Sequence, residues 1–178
     1  LAPFRRLGKP LRDDVKSTRY VQLQTQDDER ARIGGRYYTK SGFAMALEPG
    51  LIDVAVETVA NATVPRPRIA LPPWGGASSR VPRDATAFWH REALFSVILQ
   101  TSADEPAEDT GNVGWAKEKW PALEAFTAGF YANTNLSEMP ADRTREAYGG
   151  NYDRLLELKN KYDPRNLFRL NANIRPQA

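Results

Sequence analysis

The sequence contains no cysteine and a single histidine, His90, among its 178 residues. Without cysteine, the chain can form no disulfide, thiolate metal site or cysteine nucleophile of its own. A zinc site with one histidine would have to be completed by carboxylates, an unusual ligand set, so we expect no metal. A serine–histidine–aspartate triad would need His90, but no G-x-S-x-G motif is present.

Long apolar runs are missing as well, since no stretch approaches the roughly 18–20 residues of a membrane span. The 25 basic and 22 acidic residues alternate at short range, which is typical of a solvated surface. A nucleic-acid interface would instead need clustered Lys and Arg with interleaved aromatics. We therefore expect neither a membrane nor a nucleic acid as partner. The chain starts at Leu1 without a visible signal peptide, so localisation stays open, with a slight preference for the cytoplasm.

The first two thirds of the sequence predict alternating strands and helices. Residues 36–40 are rich in β-formers and predict a strand. Apolar residues at helical spacing predict a helix over residues 50–60. Residues 65–71 predict an edge strand because their prolines cannot donate to a ladder. Alternation predicts a long β segment over about residues 85–99, with one side facing a core and the other a cavity or a covering helix.

The remaining third predicts helices and an extended tail. Residues 101–111 form a predicted acidic loop, and a helix follows whose regular start is delayed by Pro121. A second helix begins near Tyr148 and ends at Asp163, which precedes a proline. The predicted class is α+β, an antiparallel sheet covered by helices on one face.

Three short motifs at fixed spacing occupy the last thirty residues. They are Y-G-G-N-Y-D-R-L at residues 148–155, K-x-x-Y-D-P-x-N-x-F at 159–168, and N-x-N-I-x-P at 171–176. This segment resembles the closing segment of berberine-bridge-enzyme-like flavoproteins, in the wider vanillyl-alcohol-oxidase superfamily. Residues 37–41, 75–82 and 85–91 resemble, more loosely, the substrate domain of bacterial members.

The resemblance implies a division of the chain and a cofactor, FAD. Residues 1–138 would be the C-terminal part of a substrate-binding domain, whose antiparallel sheet roofs the flavin. Residues 139–178 would be a segment that packs on the FAD-binding domain. The pyrophosphate-binding loops and the residues that attach the flavin would lie upstream. The resemblance therefore implies a partner chain that carries the N-terminal, FAD-binding half.

The resemblance also implies an activity. The assembled enzyme would oxidise a small organic substrate, at an alcohol, sugar or amine carbon, by hydride transfer to flavin N5, with reoxidation by oxygen. One alternative is a non-catalytic substrate-domain subunit that acts as a binding or scaffold partner. Another is an unrelated α+β binding module whose tail matches by chance.

The catalytic base is where this sequence departs from the pattern of its apparent relatives. Thr134 stands where many of them have a tyrosine, in a Y-x-N-Y motif that begins here at Tyr131. Val97 stands about where they have an acid. Neither threonine nor valine ionises near neutral pH, so neither can be a general base. The base stays unknown, and Tyr131 and Thr134 are candidates that line the pocket.

Further site residues follow from the motif positions. Asn171 and Asn173 are expected to contact the flavin, because an amide can donate to and accept from the ring edge; the alternative is that they cap turns. Tyr148 and Asn151 are also cofactor candidates, with a core tyrosine and a helix cap as alternatives. The expected substrate pocket includes three residues: Tyr38, His90 and Val97. For His90, a structural role under the sheet is the favoured alternative to catalysis.

Overall fold

In the computed structural model of the chain, the described residues are 2–9, 13–26, 28, 35–134, 143–170 and 172–177. Their contacts divide the chain into two units, Leu1–Gly35 and Arg36–Ala178. The described residues of the first unit include two short helices, α1 at Ala2–Arg5 and α2 at Tyr20–Gln24, and no residue of α2 is buried. All site residues discussed below belong to the second unit.

The second unit combines a small sheet with four helices in the part of the chain that the structure describes. Its elements are β1 at Arg36–Ala44, α3 at Pro49–Ala60, β2 at Arg68–Ala70, β3 at Phe95–Ala103, α4 at Asp109–Glu124, α5 at Thr144–Tyr148 and α6 at Tyr152–Tyr162. The strand order is β1-β3-β2, and both pairings are antiparallel. β1 and β3 pair along nine residues, from Arg36 opposite Ala103 to Ala44 opposite Phe95.

One face of the sheet is covered by α3 and α4 and forms the main core. Residues directly opposite each other in an antiparallel pair point to the same side, so Tyr38, Leu99 and Val97 share this face. The buried residues of this core are Tyr38, Ala44, Leu51, Ala55, Val97, Leu99, Trp115, Ala116, Trp120 and Leu123. The expected α+β class, with helices on one face, is confirmed.

The opposite face, called the second face here, is largely polar. Gln100 donates from Nε2 to Thr39 Oγ1 at 3.3 Å on this side. By the pairing register, this face carries Tyr37, Thr39, Ser41 and Phe43 of β1, Ser96, Ile98, Gln100 and Ser102 of β3, and Arg68 and Ala70 of β2. Only the end near Phe43 is deeply buried, while Tyr37 at the other end is 44% exposed.

The segment after α4 runs along the free edge of β1. Ala128 N–H donates to Phe43 O at 2.7 Å, and Phe43 N–H donates to Gly129 O at 3.3 Å. Gly42 permits this approach, because a Cβ there would lie 2.5 Å from the hydroxyl oxygen of Thr127. The chain thus passes around the edge and delivers residues 130–134 to the second face.

Two predicted elements differ from the structure. The long β segment predicted over residues 85–99 is a strand only from Phe95 onward, and it runs to Ala103 into the predicted acidic loop. Tight turns interrupt the earlier part, including a bond from Arg91 N–H to Trp89 O at 2.7 Å. Pro121 lies inside α4 and does not delay its start, because buried Trp115 and Trp120 hold the helix against the sheet.

The predicted C-terminal helix is divided, but its end is as expected. α5 ends at Tyr148, a 3-10 turn covers Gly149–Asn151, and α6 begins at Tyr152. Gly149, at φ +50°, makes this break possible. α6 ends at Tyr162, next to Asp163, as predicted. The predicted domain boundary at 138/139 lies outside the described residues and stays a prediction.

Asp163 fixes the turn after α6. Its carboxylate accepts hydrogen bonds from the N–H groups of Leu167 at 2.7 Å and Phe168 at 3.0 Å. Lys159 Nζ lies 2.5 Å from Asp163 Oδ2 and donates to Phe168 O at 2.6 Å. The hydrogen bond from Lys159, together with those of the backbone, holds the pKa of Asp163 below its usual 3.8. The tail therefore leaves α6 in a defined direction.

The burial of the helix-covered face predicts a difference between two leucines close together in sequence. Leu99 is fully buried in β3, whereas Leu94, just before the strand, is 49% exposed. Leu99→Ala should lower the free energy of unfolding by about 2–5 kcal/mol, through lost burial and a cavity. Leu94→Ala is the matched control and should cost much less. Denaturant unfolding of both variants checks this, and equal losses would contradict the assigned core.

Candidate functional site

Five aromatic rings meet on the second face at the end of β1. This aromatic cluster consists of Phe43, Trp74, Phe88, His90 and Tyr131. Buried Phe43 is central: its ring centroid lies 5.4 Å from that of Trp74 and 4.9 Å from that of His90. Trp74 and Phe88 stack at 5.4 Å, and Tyr131 lies 6.0 Å from Trp74. Since only Phe43 is fully buried, the other rings form a partly exposed aromatic wall.

His90 is held in the aromatic cluster as a neutral ring. It stacks on Phe43, and its Nε2–H donates to the carbonyl of Glu146 at 3.0 Å. Burial lowers the pKa of His90 below 6.5, with a smaller contribution from Arg83, while the backbone of Glu146 and Ala147 partly opposes the shift. A neutral imidazole that is fixed by a backbone carbonyl fits a structural role for His90 better than a role as general acid or base.

Tyr131 and Thr134 both lie near the second face. Thr134 Oγ1 donates to Tyr131 O at 2.9 Å and forms a short hydrogen bond with Ser41 Oγ of β1. The Tyr131 hydroxyl accepts a hydrogen bond from Asn133 Nδ2 at 2.9 Å. The structure thus brings the two candidates together beside a buried serine that the sequence did not single out.

The other two pocket candidates lie on the covered side. Val97 is fully buried, and Tyr38 is 9% exposed in the same helix-side core. Lys40 shares that side, with its Nζ 5.8 Å from the centre of the Tyr38 ring. The assignment of Tyr38 and Val97 to the pocket is therefore corrected. Alternation along the strands predicted two different sides, but not which side the helices would cover.

Asn151 is engaged with the chain itself. Its Nδ2 donates to the carbonyls of Arg83 at 2.7 Å and Thr86 at 3.0 Å, and its side chain makes no helix-capping bond. Tyr148 packs against a second small core, and burial raises its pKa above 10.0. That core contains Phe130, Ala132 and Ala147, with Tyr148 and Ala172 against it. Both residues thus have structural contacts that account for their positions.

Asn173 offers an acceptor that no described residue uses. Its Oδ1 is buried and lacks a hydrogen-bond partner in the part of the chain that the structure describes. It borders a cleft of about 360 Å³ between α6 and the tail. Apolar side chains make up most of the lining, which is Leu155, Leu158, Lys159, Tyr162, Asp163, Phe168, Leu170, Ala172, Asn173 and Ile174. An unsatisfied acceptor beside apolar walls fits the edge of a flat heterocycle with an N–H group, as flavin has. Asn171, the other predicted cofactor residue, lies outside the described residues.

Apolar side chains project from the tail beside this cleft. Phe168 and Leu170 are each 83% exposed, and Tyr162 is 72% exposed.

Among the described residues there is no group of three His, Asp or Glu side chains suited to a metal ion. Nor does any described helix combine the length and apolar character that crossing a bilayer requires.

Comparison with known proteins identifies the family. Residues 130–175 match the domain family described as berberine and berberine-like. The chain is 31% identical over 183 residues to a Bacillus subtilis protein named uncharacterized FAD-linked oxidoreductase YvdP, covering 99% of this chain and 40% of that protein. The chain belongs to the berberine-bridge-enzyme-like family.

Solved structures support this membership. The berberine-bridge-like chain matches the structure of a chitooligosaccharide oxidase with a TM-score of 0.70 and 27% identity, over 81% of this chain and 33% of that one. It matches aclacinomycin oxidoreductase with a TM-score of 0.69 and 25% identity, over 80% and 33%. The berberine-bridge-like chain thus spans about 40% of the full-length curated relative YvdP and a third of these solved chains.

Two glycines with left-handed backbones allow a matched test of how His90 is enclosed. Gly129 has φ +67°, and a Cβ there would lie 2.2 Å from His90 Cε1. Gly76 has φ +62°, with nothing within 4 Å of its would-be Cβ. Both Ala variants incur about 1–2 kcal/mol of backbone strain. Gly129→Ala should lower the melting temperature clearly further than Gly76→Ala, and equal shifts would show that His90 can move aside freely.

The single histidine makes its protonation directly measurable. In the folded chain, NMR titration of His90 should give a pKa below 6.5, because burial disfavours the charged ring. Since the unfolded chain then binds the proton more readily, stability should be fully retained above pH 6.5 and fall as the pH drops below it. His90→Gln removes this dependence and assigns the resonance. A folded-state pKa at or above 6.5 would contradict the enclosed neutral ring.

Proposed function

We propose that this chain is the substrate-domain and C-terminal part of an FAD-dependent oxidoreductase, acting on an alcohol, sugar or amine carbon of a small organic molecule. The observation that carries the proposal is its similarity, along 99% of its length, to an FAD-linked oxidoreductase. The matches to two oxidases at 25–27% identity support the same activity class. Since the chain spans only part of these proteins, the activity belongs to an assembly that includes an FAD-binding part.

The cofactor side of the proposal concerns the tail. FAD, when bound, supplies the acceptor for a hydride at its flavin N5. Asn173 contributes a buried acceptor that lacks a partner among the described residues, and the α6 cleft contributes apolar walls. Asn171, two residues earlier in the same motif, is proposed to share this role. The Asp163 turn fixes the backbone of Leu167 and Phe168, at the start of the tail that leads to Asn173.

The substrate side of the proposal concerns the second face. The partly exposed aromatic wall of Trp74, Phe88 and Tyr131 offers ring faces and edges against which a flat or cyclic substrate can pack. The nearby hydroxyls of Ser41 and Thr134 add polar groups. One relative is named a chitooligosaccharide oxidase, so oligosaccharides are the first substrates to test.

The proton acceptor is not supplied by the two positions that the family pattern suggests. Thr134 donates to a backbone carbonyl, and Val97 is buried on the other side of the sheet. We infer that the base comes from another residue, that the FAD-binding part provides it, or that proton abstraction does not limit the rate. Thr134 and Tyr131 then serve to line and orient the pocket.

The exposed tail side chains provide the surface for the FAD-binding part. Phe168 and Leu170 present apolar groups next to the proposed cofactor cleft, a placement that suits burial against another part of the protein. In the solved chitooligosaccharide oxidase, the matching region is a third of one polypeptide. Whether the FAD-binding part is in the same polypeptide or in a separate chain, the proposal requires it to cover this surface.

The proposal is tested by producing this chain together with its FAD-binding part and recording the visible spectrum. We expect a flavin spectrum that bleaches without oxygen when a chitooligosaccharide or another sugar is added. Replacing Asn171 and Asn173 with Ala should reduce flavin content more than thermal stability, whereas Asn61→Ala, at an exposed helix end, should change neither. A purified assembly without flavin would instead favour a non-catalytic scaffold subunit.

A further inference from the structure

The segment that joins α5 to α6 contacts the loop before β3. The loop, residues 83–90, carries two rings of the aromatic cluster, Phe88 and His90. The contacting segment is Gly149–Asn151. It belongs to the motif at residues 148–155, for which the family resemblance implied cofactor contacts. Its observed contacts are made with the loop.

Two consecutive glycines accommodate Trp89. A Cβ on Gly149 would lie 2.2 Å from Trp89 Cδ1, and a Cβ on Gly150 would lie 2.6 Å from Cη2 of the same indole. Real Cβ atoms do not approach other atoms so closely, so the indole occupies space that only glycine leaves free. The guanidinium of Arg83, in the same loop, lies 5.1 Å from the centre of the indole ring. Trp89 is therefore packed closely against the two glycines and contacts Arg83 of its own loop.

Asn151 ties the start of the same loop. Its two bonds to the carbonyls of Arg83 and Thr86 use the whole donor capacity of the amide nitrogen. A cleft of about 420 Å³ separates residues 84–87 from the first half of α6. Asn151 lines the same cleft, so its two hydrogen bonds connect the loop to the segment at the border of the cleft.

The end of the loop is held from the same side. His90 donates to the carbonyl of Glu146 in α5, one turn before Gly149. The loop is thus attached at its beginning by Asn151, in its middle by the glycine pair, and at its end by Glu146. Between these attachments, Phe88 stacks on Trp74 at 5.4 Å and contacts Phe43 at 5.7 Å.

We propose that Gly149, Gly150 and Asn151 form a clamp that sets the position of Phe88 and His90. Asn151 is then a positioning residue for the aromatic wall and not a cofactor ligand. The role in substrate binding rests on the function proposed above, while the clamp itself does not. The C-terminal segment then has two tasks: its tail reaches the cofactor, and its clamp shapes the substrate side.

His90 reports on the clamp without flavin or substrate. We expect Asn151→Ala, and the milder Asn151→Ser, to release the loop and expose the imidazole. The pKa of His90 measured by NMR in the folded variants should then rise toward 6.5, because burial is what lowers it. Gly150→Ala keeps both amide bonds but displaces Trp89, and it should move the pKa in the same direction.

Leu99→Val is the control for a general loss of stability. Leu99 is buried on the opposite, helix-covered side of the sheet, so this variant should lower the melting temperature and leave the pKa of His90 unchanged. If Asn151→Ala does not fold, Asn151→Ser and Gly150→Ala decide. Folded clamp variants in which the pKa of His90 equals that of the unaltered chain would overturn the proposal.

A second measurement separates the clamp from cofactor binding. In the assembly with the FAD-binding part, Asn151→Ser should keep the flavin content of the unaltered protein, while the Asn171 and Asn173 variant loses flavin. Loss of flavin from a normally folded Asn151→Ser assembly, with an unchanged His90 pKa, would return Asn151 to the cofactor site. Because the NMR titration needs no flavin, failure of the proposed oxidoreductase function leaves the clamp test intact.

Discussion

The antiparallel pairing of β1 with β3 is the constraint on which the rest of the second unit depends. Nine consecutive residue pairs fix which side chains share a side of the sheet. A shift of one residue would exchange Val97 and Leu99 with Ser96 and Ile98, placing polar groups in the core. The same register that buries an apolar face under α3 and α4 therefore leaves a polar face where a site can form.

The C-terminal segment organises that polar face from outside the sheet. Glu146 and Asn151 reach the loop before β3 through hydrogen bonds, and Asp163 directs the tail. The proposed cofactor contacts and the proposed clamp, which positions two rings of the aromatic cluster, thus share one short stretch of chain. The sequence motifs at residues 148–176 coincide with this stretch, although the strands of the sheet lie earlier in the chain.

The sequence predicted the fold class, the α3 helix and the end of α6, because periodicity and proline positions are local signals. It did not predict that Val97 and Tyr38 face the helices, since two alternating sides of a strand look alike until tertiary packing covers one of them. It missed Ser41, Phe43, Trp74 and Phe88, whose roles depend on contacts between distant segments. The sequence did contain a partial signal for two of them. Ser41 and Phe43 are two residues apart in β1, so they lie on the same side of the strand.

The two motif asparagines Asn151 and Asn173 show that a residue's place in a family motif does not determine what its side chain contacts. Asn151 donates to two carbonyls of a loop more than sixty residues earlier in the chain, and no local pattern predicts such a bond. Asn173, in the neighbouring motif, keeps a buried oxygen without a partner among the described residues. The amide of Asn151 is thus occupied by the chain itself, whereas the oxygen of Asn173, beside a cleft, stays available to a ligand, a distinction that needs coordinates.

The enclosure of Trp89 by two glycines has a consequence for how related sequences can vary. A large indole at position 89 and the absence of side chains at 149 and 150 are two halves of one volume constraint. Homologues that lose the tryptophan gain the space for alanine or serine at position 150, whereas position 149 still favours glycine because its φ is +50°. Positions 89 and 150 should therefore change together in evolution, despite a separation of about sixty residues along the chain.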